Sequence, residues 1–96
     1  MDEVKYLTAN YNFPKDRKIS SLHSLDELKN TCERIIAEDF GLDGKVSEIS
    51  DANMVVSISD KDDADTIGHC LRHIGDYLSS IISDVTIHDY LLKKLN

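Results

Sequence analysis

Five branched apolar residues recur at intervals of three and four in the second half of the chain: Ile67, Leu71, Ile74, Leu78 and Ile81. These intervals place the five side chains along one stripe of an α-helix. The pattern predicts a helix over roughly residues 62–82 with one buried side. Such a helix must pack its stripe against another layer of the fold.

A second helix is predicted upstream, with both of its ends marked. Ser24 is a good N-cap, and Glu27 three residues later completes a capping box. Gly41 suits the left-handed residue that ends a helix. One side of this helix is apolar and carries Leu25, Leu28, Cys32, Ile35, Ile36 and Phe40.

Four segments have the composition of strands. "VKYLTANY" (4–11) is β-branched and aromatic and is followed by an exposed loop, while "KVSEIS" and "NMVVSIS" flank the turn "DAN" and predict a hairpin. Val46 and Ile49 fall on opposite faces, so the first hairpin strand is predicted at the sheet edge. "DVTIHDY" predicts a short last strand, although no Gly or Pro separates it from the helix before it, so a continued helix is the alternative.

The element order is β-α-β-β-α-β, which is the order of the ferredoxin-like sandwich. The sequence therefore predicts an α+β fold with an antiparallel sheet and two helices on one of its faces. Ninety-six residues fit one domain, so residues 1–96 are predicted to form a single unit.

The chain is acidic, with a net charge of −7, and the segment 19–92 holds fifteen acidic and five basic residues. Such a body repels nucleic-acid phosphate and anionic lipid and attracts basic protein surfaces. No apolar run is long enough to span a membrane, and the first residues do not form a signal peptide. Together with only two cysteines, this predicts a cytoplasmic protein that binds neither nucleic acid nor membrane directly.

The stretch "GHCLRHIGD" holds the residues most suited to a metal site. His69 and His73 lie one helical turn apart, and Asp76 could supply a third zinc ligand. All three point away from the apolar stripe and no fourth ligand is in view, which favours a solvated helix surface over a zinc site. A calcium loop is excluded as well, because "SDKDDAD" lacks the required glycine and glutamate. No metal or cofactor is predicted.

Two glycines in the same helix, Gly68 and Gly75, lie on one flank of its stripe. Glycine is unfavourable inside a helix, so the pair predicts close approach of the first helix on that flank. Cys70 would then point away from Cys32, and no disulfide could join them.

Two groups of residues are predicted to contact a partner. The first is the acidic loop before the long helix, with Asp60, Asp62, Asp63 and Asp65, which fits a basic partner and also caps the helix. The second lies on the open face of the sheet and consists of Tyr6, Thr8, His88 and Tyr90, residue types common in interfaces.

The chain has no glycine-rich phosphate loop and no recognisable nucleophile setting, so an enzyme is not expected. We expect a non-catalytic interaction protein, such as an inhibitor, immunity or regulatory protein, that docks on a basic protein surface. A nucleic-acid-handling enzyme, with its basic groove, is one such partner. The alternative is a homodimer or larger oligomer that assembles through the open sheet face and holds a small ligand.

Overall fold

The computed structural model describes residues 6–16, 18–59, 61, 63–82 and 85–88. Its elements in chain order are β1 (Tyr6–Asn12), α1 (Leu25–Arg34), β2 (Gly44–Ile49), β3 (Asn53–Ser59), α2 (Ala64–Ile81) and β4 (Thr86–His88). A 3-10 turn precedes α1 and a π-helical turn (Ile35–Asp39) follows it. The predicted α+β class, with two helices and an antiparallel sheet, is confirmed.

The sheet is built around β3 and β1, which pair antiparallel over their whole length, with Tyr6 opposite Ser59. β2 pairs with the outer side of β3 and is therefore an edge strand, as predicted. The short strand β4 pairs antiparallel with the last three residues of β1. Since α2 ends at Ile81, the alternative of a helix that continues through residues 86–88 is wrong.

One face of this sheet forms the floor of the core. Its inward side chains are at most 2% exposed: Leu7, Ala9, Tyr11, Met54, Val56 and Ile58. They form one continuous cluster with the buried residues of α1 and α2, so both helices pack on this face. The Tyr11 hydroxyl donates a hydrogen bond of 2.6 Å to the carbonyl oxygen of Leu71, which joins the sheet to the middle of α2.

The cap before α1 and the glycine stop after it lie where the sequence predicted them. The Ser24 hydroxyl accepts a hydrogen bond from the Glu27 backbone N–H at 3.3 Å, and Gly41 has a φ of +63°. The π-helical turn between them was not predicted. It widens the last turn, so that the Leu42 N–H reaches the carbonyl of Ile36, one residue further back than in an ordinary glycine-terminated helix.

A β-bulge in β2 changes which of its residues face the core. Val46 lies opposite Val56, but Glu48 lies opposite Val55, so Ser47 is an extra residue in the ladder. The extra residue reverses the alternation and brings Ile49 to the same side as Val46. The prediction that these two residues lie on opposite faces is therefore wrong, and both pack on the core.

Close backbone approach occurs at Gly44, a glycine for which it was not predicted. A Cβ added at Gly44 would lie 2.8 Å from the Ser57 carbonyl oxygen and 2.8 Å from Ile58 Cγ1. A Cβ added at Gly68 would meet no atom within 4 Å, so the predicted close approach to α1 is wrong there. Gly44 is needed at the start of β2, whereas Gly68 only lowers the helix propensity of α2.

Exchanging these glycines for alanine is expected to change stability in opposite directions. Gly44→Ala should lower the free energy of unfolding by about 1–3 kcal/mol, because the backbone carbonyl it meets cannot rotate away. Gly68→Ala should raise it by about 0.5–1 kcal/mol through helix propensity. Urea denaturation of the two variants measures both effects, and equal changes at the two sites would contradict the packing described for Gly44.

Candidate interaction surface

The acidic residues predicted to contact a partner lie at the start of α2. Asp63 is the N-cap, and its carboxylate accepts hydrogen bonds of 3.1 Å from the backbone N–H and from the hydroxyl of Thr66. Asp65 is exposed in the first turn. Asp60 and Asp62 lie outside the described residues. Capping thus accounts for Asp63, as the sequence predicted, and Asp65 remains at the surface.

The fold brings further carboxylates to the same end of the molecule. The Ser59 N–H donates to the Asp43 carbonyl oxygen at 2.8 Å, which places the end of α1's turn beside the end of β3. Asp39 is close enough to α2 for its charge to act on Cys70. The "acidic end" is defined by four exposed residues: Asp39, Asp43, Asp63 and Asp65. Lys61, in the loop between β3 and α2, is a positively charged residue at this end.

Tyr6 also lies at this end. Its position opposite Ser59 places it where β3 leads into the acidic loop, and its side chain is 48% exposed. Thr8 is half-buried on the solvent side of the sheet, opposite Ser57. His88 is paired in register with Asn10, and Tyr90 lies outside the described residues. The structure therefore groups Tyr6 with the acidic residues more closely than with His88.

A shallow groove of about 430 Å³ lies at the opposite end, where β1 ends and β2 turns into β3. It is lined by Pro14, Lys15, Asp16, Lys18, Asp51 and Ala52. Asp51 accepts a hydrogen bond of 2.7 Å from the Ser20 N–H, and this bond, with the nearby charge of Lys18, lowers the pKa of the carboxyl group. The lining holds as many carboxylates as ammonium groups, so the groove selects for neither sign of charge.

The histidine pair of α2 lies on an exposed side of the helix. His69, His73 and Asp76 are exposed, as predicted. Among the residues that the structure describes, no three His, Cys, Asp or Glu side chains come together as ligands. The His73 ring instead lies edge-on to the Phe40 ring, with 5.7 Å between centroids and an interplanar angle of 61°. This flank of α2 therefore faces the end of α1.

Both cysteines are free, fully buried and close to each other. Burial raises the pKa of Cys32 to about 12, with the charge of Cys70 as the next cause. Burial also raises the pKa of Cys70 to about 12, and the negative charge of Asp39 is the second cause of this shift. Cys70 thus lies on the flank of α2 that faces α1, and the prediction that it points away from Cys32 is wrong. Thiols with such pKa values are poor nucleophiles at neutral pH.

Comparison of the chain with protein-family models, with curated proteins and with solved structures finds no match. Within the described ranges, no helix is both long enough and apolar enough to cross a membrane.

The structure adds Asp39 and Asp43 to the acidic surface that the sequence predicted. They are distant from residue 63 in the chain, and only the antiparallel course of α1, β2 and β3 brings them near α2. The signal in the sequence was the Gly41 stop, which places Asp39 and Asp43 in the turn between a helix and an edge strand.

Proposed function

We propose that this protein is a non-catalytic docking module that binds a basic surface of a partner protein through its acidic end. The observation that carries the proposal is that carboxylates from two distant segments, 39–43 and 63–65, converge on one end of the fold. A module of this kind acts as an inhibitor, immunity or regulatory protein because it covers a surface that its partner needs. A nucleic-acid-handling enzyme offers such a surface in its basic groove.

The mechanism divides into encounter and retention. The acidic end attracts a basic surface over a Debye length, which is about 8 Å at physiological salt, and raises the rate of encounter. Retention requires a desolvated anchor, and aromatic residues are enriched among such anchors. Tyr6, with 48% of its surface exposed at this end, provides the anchor.

The charge pattern is tested with two triple variants of equal net charge. The first neutralises the acidic end and leaves the α2 cap intact: Asp39→Asn, Asp43→Asn and Asp65→Asn. The control neutralises exposed acids elsewhere: Asp26→Asn, Glu48→Gln and Asp76→Asn. Wild type, variant and control are immobilised, exposed to lysate of the source cell at low salt and washed at about 0.5 M salt.

Wild type and control are expected to capture the same basic protein and to release it in high salt. The acidic-end variant should associate with that purified protein at least about tenfold more slowly, because electrostatic steering acts on the rate of encounter. The proposal fails if the control weakens binding as much as the variant does, or if wild type captures no basic partner at low salt.

The anchor is tested at the two large apolar side chains that are most exposed in the described structure. Tyr6→Ala removes one at the acidic end, and Leu22→Ala removes the other, 63% exposed, at the opposite end. Tyr6→Ala is expected to speed dissociation by tenfold or more, the scale of about 1.4 kcal/mol or above that defines an important interface residue. Equal dissociation rates for the two variants would rule out Tyr6 as the anchor.

We further propose that the fold is the ferredoxin-like sandwich. The chain order β1-α1-β2-β3-α2-β4 and the sheet order β2-β3-β1-β4, with the first and third strands at the centre, support it. A reducing cytoplasmic location is part of the same proposal, and it is supported by two free, buried cysteines.

A further inference from the structure

The solvent side of the two central strands carries no charge. β1 and β3 contain no Asp, Glu, Lys or Arg, in a chain whose residues are 30% charged. The accessible part of this side, called here the amide face, consists of Thr8, Asn10, Asn12, Asn53 and Val55, and Ser57 opposite Thr8 is buried. Depletion of charge is the compositional signal that separates the centre of an interface from ordinary surface.

The asparagines of this face are already arranged by hydrogen bonds. The Ser50 hydroxyl donates to Asn53 Oδ1 at 3.2 Å, Asn53 Nδ2 donates to Asn10 Oδ1 at 2.7 Å, and Asn10 Nδ2 donates to Asn12 Oδ1 at 3.2 Å. The chain of bonds crosses from the hairpin turn over β3 to β1. It fixes the side-chain rotamers, so little conformational entropy remains to be lost when the face is covered.

We propose that the amide face pairs with the same face of a second copy of this chain. A two-fold interface brings each surface against itself, so it must be self-complementary. Amide groups meet that condition because each carries both a donor and an acceptor, whereas a surface of one charge sign does not. Copies with a net charge of −7 repel each other over most of their surface, whereas the residues of the amide face itself carry no charge, and the exposed Lys45 and Glu48 of β2 beside it have opposite signs.

The size of the face predicts how strong this dimer is. A seven-residue strand spans about 23 Å and the two central strands span about 9 Å, so the flat area is about 200 Å² per copy. A standard stable interface buries about 800 Å² per partner. The dimer is therefore weak and reversible, and it forms at high protein concentration.

Sedimentation equilibrium of the full chain, from about 10 μM to 1 mM, measures the dimer constant. Wild type is expected to dimerise within this range, and more strongly at 0.5 M than at 0.05 M salt, because salt screens the repulsion between acidic copies. Docking on a basic partner has the opposite dependence on salt. The two proposals therefore succeed or fail independently.

Two substitutions of Thr8 separate a contact on this face from a general effect of charge. Thr8→Glu and Thr8→Lys each place a charge on the face that is covered in the dimer, so both are expected to weaken the dimer at least tenfold. Asn30→Glu adds the same charge as the first variant on the exposed side of α1 and should change the constant less than threefold. Thermal unfolding confirms that each variant is folded. A monomeric wild type at 1 mM, or a Thr8→Lys variant that dimerises as well as wild type, overturns the proposal.

Discussion

Between pH 9 and 12 the folded protein is expected to lose up to about 1.4 kcal/mol of stability per pH unit for each of its two buried thiols. In the unfolded chain both cysteines release their protons near the ordinary pKa of 9.0, whereas burial raises the pKa of Cys32 and of Cys70 to about 12. The folded state therefore holds more protons in this range. Stability is unaffected below pH 9 and falls as the pH rises above it.

The loss is large compared with the total stability of a small domain, which is about 5–15 kcal/mol. Urea denaturation in the presence of a reductant, at pH 8, 9, 10 and 11, measures it. The double variant Cys32→Ala, Cys70→Ala is the control, since tyrosine and lysine titrate equally in both proteins. The variant is expected to be less stable at pH 8, because it loses core volume, but to have a much flatter dependence on pH. Parallel curves would show that the thiols are not buried together.

The sequence predicted the elements of this fold well where one periodicity persists. The stripe of α2 from Ile67 to Leu78 and the alternation of Met54, Val56 and Ile58 each bury the side chains that the pattern selects, and Ile81 at the end of the stripe is partly buried. The Ser24 cap and the Gly41 stop act over a few residues, and both were found at their predicted positions. Local rules suffice for features whose causes are local.

Two features were missed because an extra residue interrupts the regular spacing of side chains along a strand or a helix. The bulge at Ser47 adds one residue to β2, and a strict alternation then places Ile49 on the wrong face. The π-helical turn adds a residue to the end of α1 in the same way. Neither extra residue is marked by a characteristic residue type in the sequence, because both depend on how the strand and the helix pack against their neighbours.

The direction in which α2 faces α1 could not be predicted from the sequence either. A helical wheel places Gly68 and Cys70 on opposite flanks but does not say which flank meets α1. The contact between Phe40 and His73 shows that it is the cysteine flank. The acidic surface was predicted only in the loop before α2, at Asp60, Asp62, Asp63 and Asp65, for a related reason, since Asp39 and Asp43 join it through tertiary structure alone.

Truncation of Tyr11 is expected to have the largest effect of any single substitution in the sheet. Tyr11 is fully buried, and its hydroxyl reaches the carbonyl oxygen of Leu71 across the core. Tyr11→Ala should lower the free energy of unfolding by about 3–5 kcal/mol, the usual range for removing a buried aromatic ring. Tyr11→Phe keeps the ring and should cost about 1–1.5 kcal/mol, the net value of one hydrogen bond.

Comparing Tyr11→Phe with wild type also tests how the acidic end is held in place. β1 carries Tyr6 and α2 carries Asp63 and Asp65, and the hydrogen bond of Tyr11 is a direct link between these two elements. Tyr11→Phe is therefore expected to loosen α2 against the sheet, and amide hydrogen exchange in the middle of α2 should become faster than in α1. If exchange rises equally in both helices, the hydroxyl contributes only to global stability and the packed core alone orients the acidic end.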